Sequence, residues 1–153
     1  MEMSSRFGPQ KFNSRGKPEE RAQNTRSENK VPGAIPLLTF SFKDFDSVQC
    51  PPGQTFEQWE KEGLLSRLAT RLVDLSQKNI VKAQQQELIT IYGKFPENSD
   101  FKCPKYIQDD DVQWAVIKDV GGQLHRVAGY IINNVFYVVF LDKDHKFYKM
   151  KNK

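Results

Sequence analysis

The stretch "RVAGYIINNVFYVVFLDKDHKFY", from Arg126 to Tyr148, sets the hardest condition on the fold. Two apolar runs flank Asn133-Asn134, and asparagine tolerates the positive φ that a tight turn asks for. The pair reads as a hairpin of strands "QLHRVAGYII" and "VFYVVFLD". On the first, Leu124, Arg126, Ala128, Tyr130 and Ile132 share a face, and His125, Val127, Gly129 and Ile131 share the other. On the second, Val135, Tyr137, Val139 and Leu141 stand against Phe136, Val138, Phe140 and Asp142. Both faces of that strand are apolar, so it needs cover on each side and a central place in a sheet. The hairpin then ends in Asp-Lys-Asp-His-Lys, which either solubilises an edge or forms a site.

Upstream, "VQWAVIKDV" ends at Gly121-Gly122, a hairpin turn signal, and completes a three-stranded antiparallel meander. Near the start, "IPLLTFSFKDFD" alternates after Pro36: Leu38, Phe40 and Phe42 face one way, Thr39, Ser41 and Lys43 the other. This is a half-buried strand that stops near Asp44, before a turn at "CPPGQ". Thr55 and Gln58 lie in capping-box register and open a helix. Leu64, Leu68, Leu72 and Leu75 form its apolar stripe, widened by Leu65, Ala69 and Val73 and extended upstream by Phe56 and Trp59. Gly63 weakens the pattern without ending it. After a break at 76–79, residues 80–89 form a second short helix or continue the first. Residues 92–111 read as a long loop that includes Asp109-Asp110-Asp111. Helices must cover one sheet face, which predicts a two-layer α+β domain over 34–150: an N-terminal strand, one or two helices, then the meander.

The segment before that domain is different in kind. Met1 to Lys30 holds only five hydrophobic residues (Met1, Met3, Phe7, Phe12, Ala22), and it carries seven of the 23 basic residues against four acids. Too little apolar area is available there to offset ordering entropy, so residues 1–33 are expected to be a disordered basic tail, or an arm that folds on a nucleic acid or a partner. The net charge of +4 permits attraction to RNA or DNA without requiring it. No apolar run is long enough to span a bilayer, and no apolar stretch follows the first residues. The expectation is a cytoplasmic protein with no membrane partner, its Cys50 and Cys103 reduced. Cys50, Cys103, His125 and His145 lack the short-spaced pairs of zinc sites, and no phosphate loop, HExxH or GxSxG is present. No metal or cofactor is therefore expected.

The chemistry-bearing residues lie on the hairpin. Arg126, inside an apolar strand, must face solvent, pair with an acid such as Asp119, or point at an anionic ligand. Gly129 in mid-strand marks a bulge or a close approach of another backbone. Tyr130 and Tyr137 could stack on bases or simply pack.

A first strand, helices, and a meander with a mid-sheet arginine and a C-terminal His and Tyr resemble the RelE/HigB-like toxin ribonucleases. These are small basic α+β proteins of toxin–antitoxin modules that cut messenger RNA, usually on the ribosome. The resemblance is one of arrangement over about residues 35–150, with Arg126 at the mid-sheet position and His145 and Tyr148 at the C-terminal one. The basic tail and the long loop depart from the family, and Lys118 and Lys146 stand in for its lysines. The hairpin is also similar to the ends of small uncharacterised proteins of bacterial mobile elements. The family likeness implies an endoribonuclease without a metal: the RNA 2′-hydroxyl attacks the adjacent phosphorus, His145 and Tyr148 divide the base and acid roles, and Arg126 with Lys118 or Lys146 stabilises the phosphate. Tyr130 or Tyr137 would stack a base. Partners would be RNA, the ribosome and an antitoxin protein. The alternative is a non-enzymatic binding module that uses the tail and hairpin to hold a protein or nucleic acid. A third reading, an antitoxin or immunity protein, fits the polar tail less well. A ribonuclease requires Arg126, His145 and Tyr148 around one phosphate; a binding module does not.

Overall fold

The structure is a computed structural model that describes residues 34–107, 111–122 and 124–149. The expected tail, residues 1–33, lies outside them, as do Asp109 and Asp110 of the acidic run. One compact unit begins at Leu37. Its elements are β1 (Thr39–Ser41), α1 (Phe56–Lys61), α2 (Leu64–Leu75), α3 (Ile80–Gln85), β2 (Ile89–Gly93), β3 (Gln113–Ile117), β4 (Arg126–Ile132) and β5 (Val135–Asp142). The strands form one five-stranded sheet in the order β1-β5-β4-β3-β2. β1 lies parallel to β5, and the other neighbours are antiparallel. The class is α+β, with one strand more than the sequence reading gave.

Local chemistry explains the helices. The capping box is complete: the Gln58 amide donates to Thr55 Oγ1 at 3.1 Å and the Thr55 amide to Gln58 Oε1 at 2.7 Å. Gly63, at φ 74°, divides the expected single helix into α1 and α2, because the chain turns there through a conformation glycine adopts freely. Leu64, Leu68 and Leu75 of α2 are buried, each contributing about 1.5–3 kcal/mol. Val73, expected to widen the stripe, is 62% exposed. α3 stops at Gln85 and Glu87 takes φ 60°, so Ile89 begins a strand where the helix was expected to run on.

The sheet has two apolar faces. Against one pack the helices, through Trp59, Leu68 and Leu75, onto Ile117, Val127 and Phe136. The other holds Trp114, Val116, Ala128 and Phe140, and its cover is non-helical: Phe95 and Phe101 from the loop after β2, and Phe147 from beyond β5. β5 is thus apolar on both sides because both sides are covered. The alternation slips once. A bulge opposite Ala128 and Gly129 puts both Val139 and Phe140 on the second face and returns Leu141 to the helical one. Gly129 permits this, since a Cβ there would lie 1.9 Å from the Tyr137 carbonyl oxygen.

Candidate active site

The sheet brings four strand ends together. Ile89, Ile117, Val127 and Leu141 are successive partners across β2, β3, β4 and β5. Just beyond this row lies a cleft of about 490 Å³, lined by Gln86, Glu87, Lys118, Asp119, Leu124, Arg126 and His145. The expected tight turn at Gly121-Gly122 is replaced by a longer connection, because β3 ends at Ile117 and β4 starts only at Arg126. Val120 anchors this connection in the core, with its amide donating to the His125 carbonyl at 3.2 Å. His125 consequently precedes the strand instead of lying on its opposite face.

His145 reaches the cleft because of Asp142. This last residue of β5 is 1% exposed, and its carboxylate accepts the Lys146 amide at 2.7 Å and the Phe147 amide at 2.9 Å. Those bonds wrap the chain around the carboxylate, turn His145 toward the cleft at φ 62°, and send the Phe147 ring into the core. Gln54 fastens the same turn from the other side: its Oε1 accepts both the Trp59 indole N–H at 2.9 Å and the Lys143 amide at 2.7 Å. Burial pushes the Asp142 carboxyl pKa up, opposed by its two amide bonds.

Arg126 stands opposite Asp142 in register, yet the two form no ion pair. The carboxylate is committed to the turn amides, and Arg126 Nη1 is buried without a hydrogen-bond partner. The arginine's charge acts on its neighbours instead. Burial lowers the His145 pKa, and the Arg126 charge lowers it further. Burial raises the Tyr92 phenol pKa, and Arg126 opposes that rise. Tyr148 stacks on Tyr92 with ring centroids 4.1 Å apart and planes at 17°. Arg126, His145 and Lys118 therefore share the cleft, whereas Tyr148 is not among its lining residues and stacks on a tyrosine within the field of Arg126.

The remaining expected residues lie elsewhere. Lys146 faces the loop after β2, with its Nζ 3.9 Å from Asp100. Tyr130 is four residues along β4 from Arg126, roughly 13 Å at strand rise, and is 4% exposed. It stacks on Tyr137 at 4.6 Å and its hydroxyl donates to the Asp44 carboxylate, in a separate cavity of about 240 Å³. Cys50 and Cys103 are both free thiols, and burial pushes the pKa of each up. Among the described residues no group of His, Cys, Asp and Glu could hold a metal ion, and no helix is long and apolar enough to cross a membrane.

Sequence reasoning named Asp119 only as a possible acid partner for Arg126, and it passed over Glu87 and Tyr92. The last had a signal, since Ile89-Thr90-Ile91-Tyr92 alternates with β-branched residues. Four non-glycine residues take positive φ among those described: Glu87, Asp119, Asn133 and His145. Asn133 makes the hairpin turn, and the other three all line this cleft. Backbone conformations of this kind cost energy and gather where function constrains the chain. No family model, curated protein or solved structure matches the chain.

Proposed function

We infer that the chain is a toxin-like endoribonuclease that cleaves RNA without a metal at the Arg126–His145 cleft. The observation that carries this reading is a histidine held toward its neutral form beside an arginine whose buried Nη1 has no partner. A neutral imidazole is the form that accepts a proton, and an arginine donor without a protein partner suits an anionic oxygen. In the reaction, His145 takes the proton from the 2′-hydroxyl and the 2′-oxygen bonds to phosphorus. The bond from phosphorus to the 5′-oxygen breaks, and Tyr148 or the stacked Tyr92 supplies the proton to that leaving oxygen. Arg126 and Lys118 stabilise the added charge on the non-bridging oxygens. The products are a 2′,3′-cyclic phosphate and a free 5′-hydroxyl. A cytoplasmic setting, a ribosome-bound substrate and an antitoxin partner follow from the family resemblance.

Inducible expression in a bacterial host tests this. The intact chain is expected to arrest growth and produce new RNA ends, with both effects abolished by the double substitution Arg126→Ala, His145→Ala. Normal growth and intact RNA from soluble, folded protein would sink the reading. The second reading, a non-enzymatic binding module, draws on two observations: Glu87 and Asp119 temper the positive charge of the cleft, and the stacked Tyr130 and Tyr137 lie apart from it.

A further inference from the structure

Beside the first cleft is a second, of about 570 Å³, between α2 and the connection that follows β3. Ser66, Arg67, Thr70, Arg71 and the carboxylate of Asp74 line one wall, Gly121 and Gly122 the other, and Asp119 lines both clefts. The two arginines are one helical turn apart, as are the two hydroxyls, so all four present themselves on one side of α2. Arg71 is braced: Nη2 donates to the Asp119 carbonyl at 3.0 Å and Nη1 to Asp74 at 3.2 Å. Asp74 is matched in turn by Lys78 at 2.5 Å, so its charge does not cancel both arginines. Arg67 is exposed and has no ion pair with a described carboxylate; its stem lies over Gly121, where an added Cβ would be 2.4 Å from Arg67 Cδ.

Three buried side-chain atoms among the described residues have no hydrogen-bond partner: Arg71 Nε, His125 Nδ1 and Arg126 Nη1. All three border the connection between the clefts. Buried polar atoms are nearly always satisfied, by protein, ordered water or ligand, so three of them in one short region leave room for a polar partner there. Guanidinium nitrogens can only donate, which makes the missing partner an acceptor.

We propose that the Arg67–Arg71 cleft is a second phosphate subsite, so that the ligand of the first cleft is a single RNA strand that continues past Asp119 onto α2. This deepens the ribonuclease reading and rests on it. The competing account is that Arg71 only braces the connection and Arg67 is an ordinary surface charge.

Fluorescence anisotropy of the full chain with a labelled 2′-O-methyl oligonucleotide of about eight nucleotides, which cannot be cleaved, separates the possibilities. Arg67→Ala is expected to weaken binding about three- to tenfold and to reduce the slope of log affinity against log salt by about 1, with Arg67→Lys restoring most of both. Arg126→Gln is expected to weaken binding as well. Loss with Arg126→Gln but unchanged affinity and slope with Arg67→Ala would overturn the second subsite and leave the first cleft standing. Loss with Arg67→Ala alone would uphold the subsite and overturn the role given to Arg126. No binding by the intact chain would overturn both.

Discussion

Asp142 is the residue on which the candidate site turns. A buried carboxylate with two amide donors is satisfied; the amides without it are not. Asp142→Ala would leave the Lys146 and Phe147 amides without their acceptor, at a cost of roughly 1–3 kcal/mol. Asn should recover only part, because its NH₂ confronts one amide with a second donor. Urea unfolding would show this as a lower midpoint at unchanged slope, and a midpoint equal to that of the intact chain would refute the role. His145 makes a separate claim at this scale. Its folded pKa lies below the ordinary 6.5, first through burial and then through the Arg126 charge. If the neutral form is the active one, kcat/KM for RNA cleavage rises with pH along a limb whose midpoint lies below pH 6.5. Arg126→Gln should move that limb upward. The sign for stability follows from the same shift: the unfolded chain takes up the proton first, so stability declines as pH falls from about 6.5 toward the folded value, and His145→Ala removes that decline.

At the scale of elements, patterns written in neighbouring residues were readable and those decided across the sheet were not. The capping box, the leucine stripe and the β4–β5 hairpin are local, and each stands in the fold. β2 went unread because the helix before it stops at Gln85 and the chain turns at Glu87, a residue that is neither glycine nor asparagine yet adopts φ 60°. The helical break at Gly63 was visible as a weakness, but its conversion into a true turn depends on how α1 and α2 pack. Arg126 stood out as a charge inside an apolar strand and His145 as one beyond the end of another, whereas Glu87 joins them only through strand register. Gly129 lies between these cases. Its position in mid-strand announced a bulge or close approach, and the bulge in turn decides which side chains of β5 face which core. Gly129→Ala would press a methyl group into the Tyr137 carbonyl, a backbone atom that cannot swing away. Destabilisation of about 3 kcal/mol or more is expected, read as a large drop in unfolding midpoint or as insoluble protein. A soluble variant of native stability would show that the bulge is not held as described.

Across the whole molecule, one sheet separates two cores of different construction. The helical side is closed by amphipathic elements with their own hydrogen bonds. The other side is closed by loop and chain-end aromatics, whose order depends on the sheet beneath them. The chain's two tryptophans divide between the sides: Trp59 is buried under α1 and Trp114 among Phe95, Phe140 and Phe147. Each can therefore report on one core in a variant that replaces the other with phenylalanine. Because β3, β4 and β5 contribute side chains to both cores, loss of one should expose the back of the other. Single domains of this size commonly unfold in one cooperative step. The fluorescence of Trp59 in Trp114→Phe and of Trp114 in Trp59→Phe, each compared with far-ultraviolet circular dichroism of the same variant, is expected to give coincident urea transitions. A Trp114 signal that melts well before the secondary structure would mean that the loop-and-tail layer opens on its own. His145 would then be carried away from Arg126 in a protein whose sheet is still intact, and the candidate site would exist only while that layer is closed.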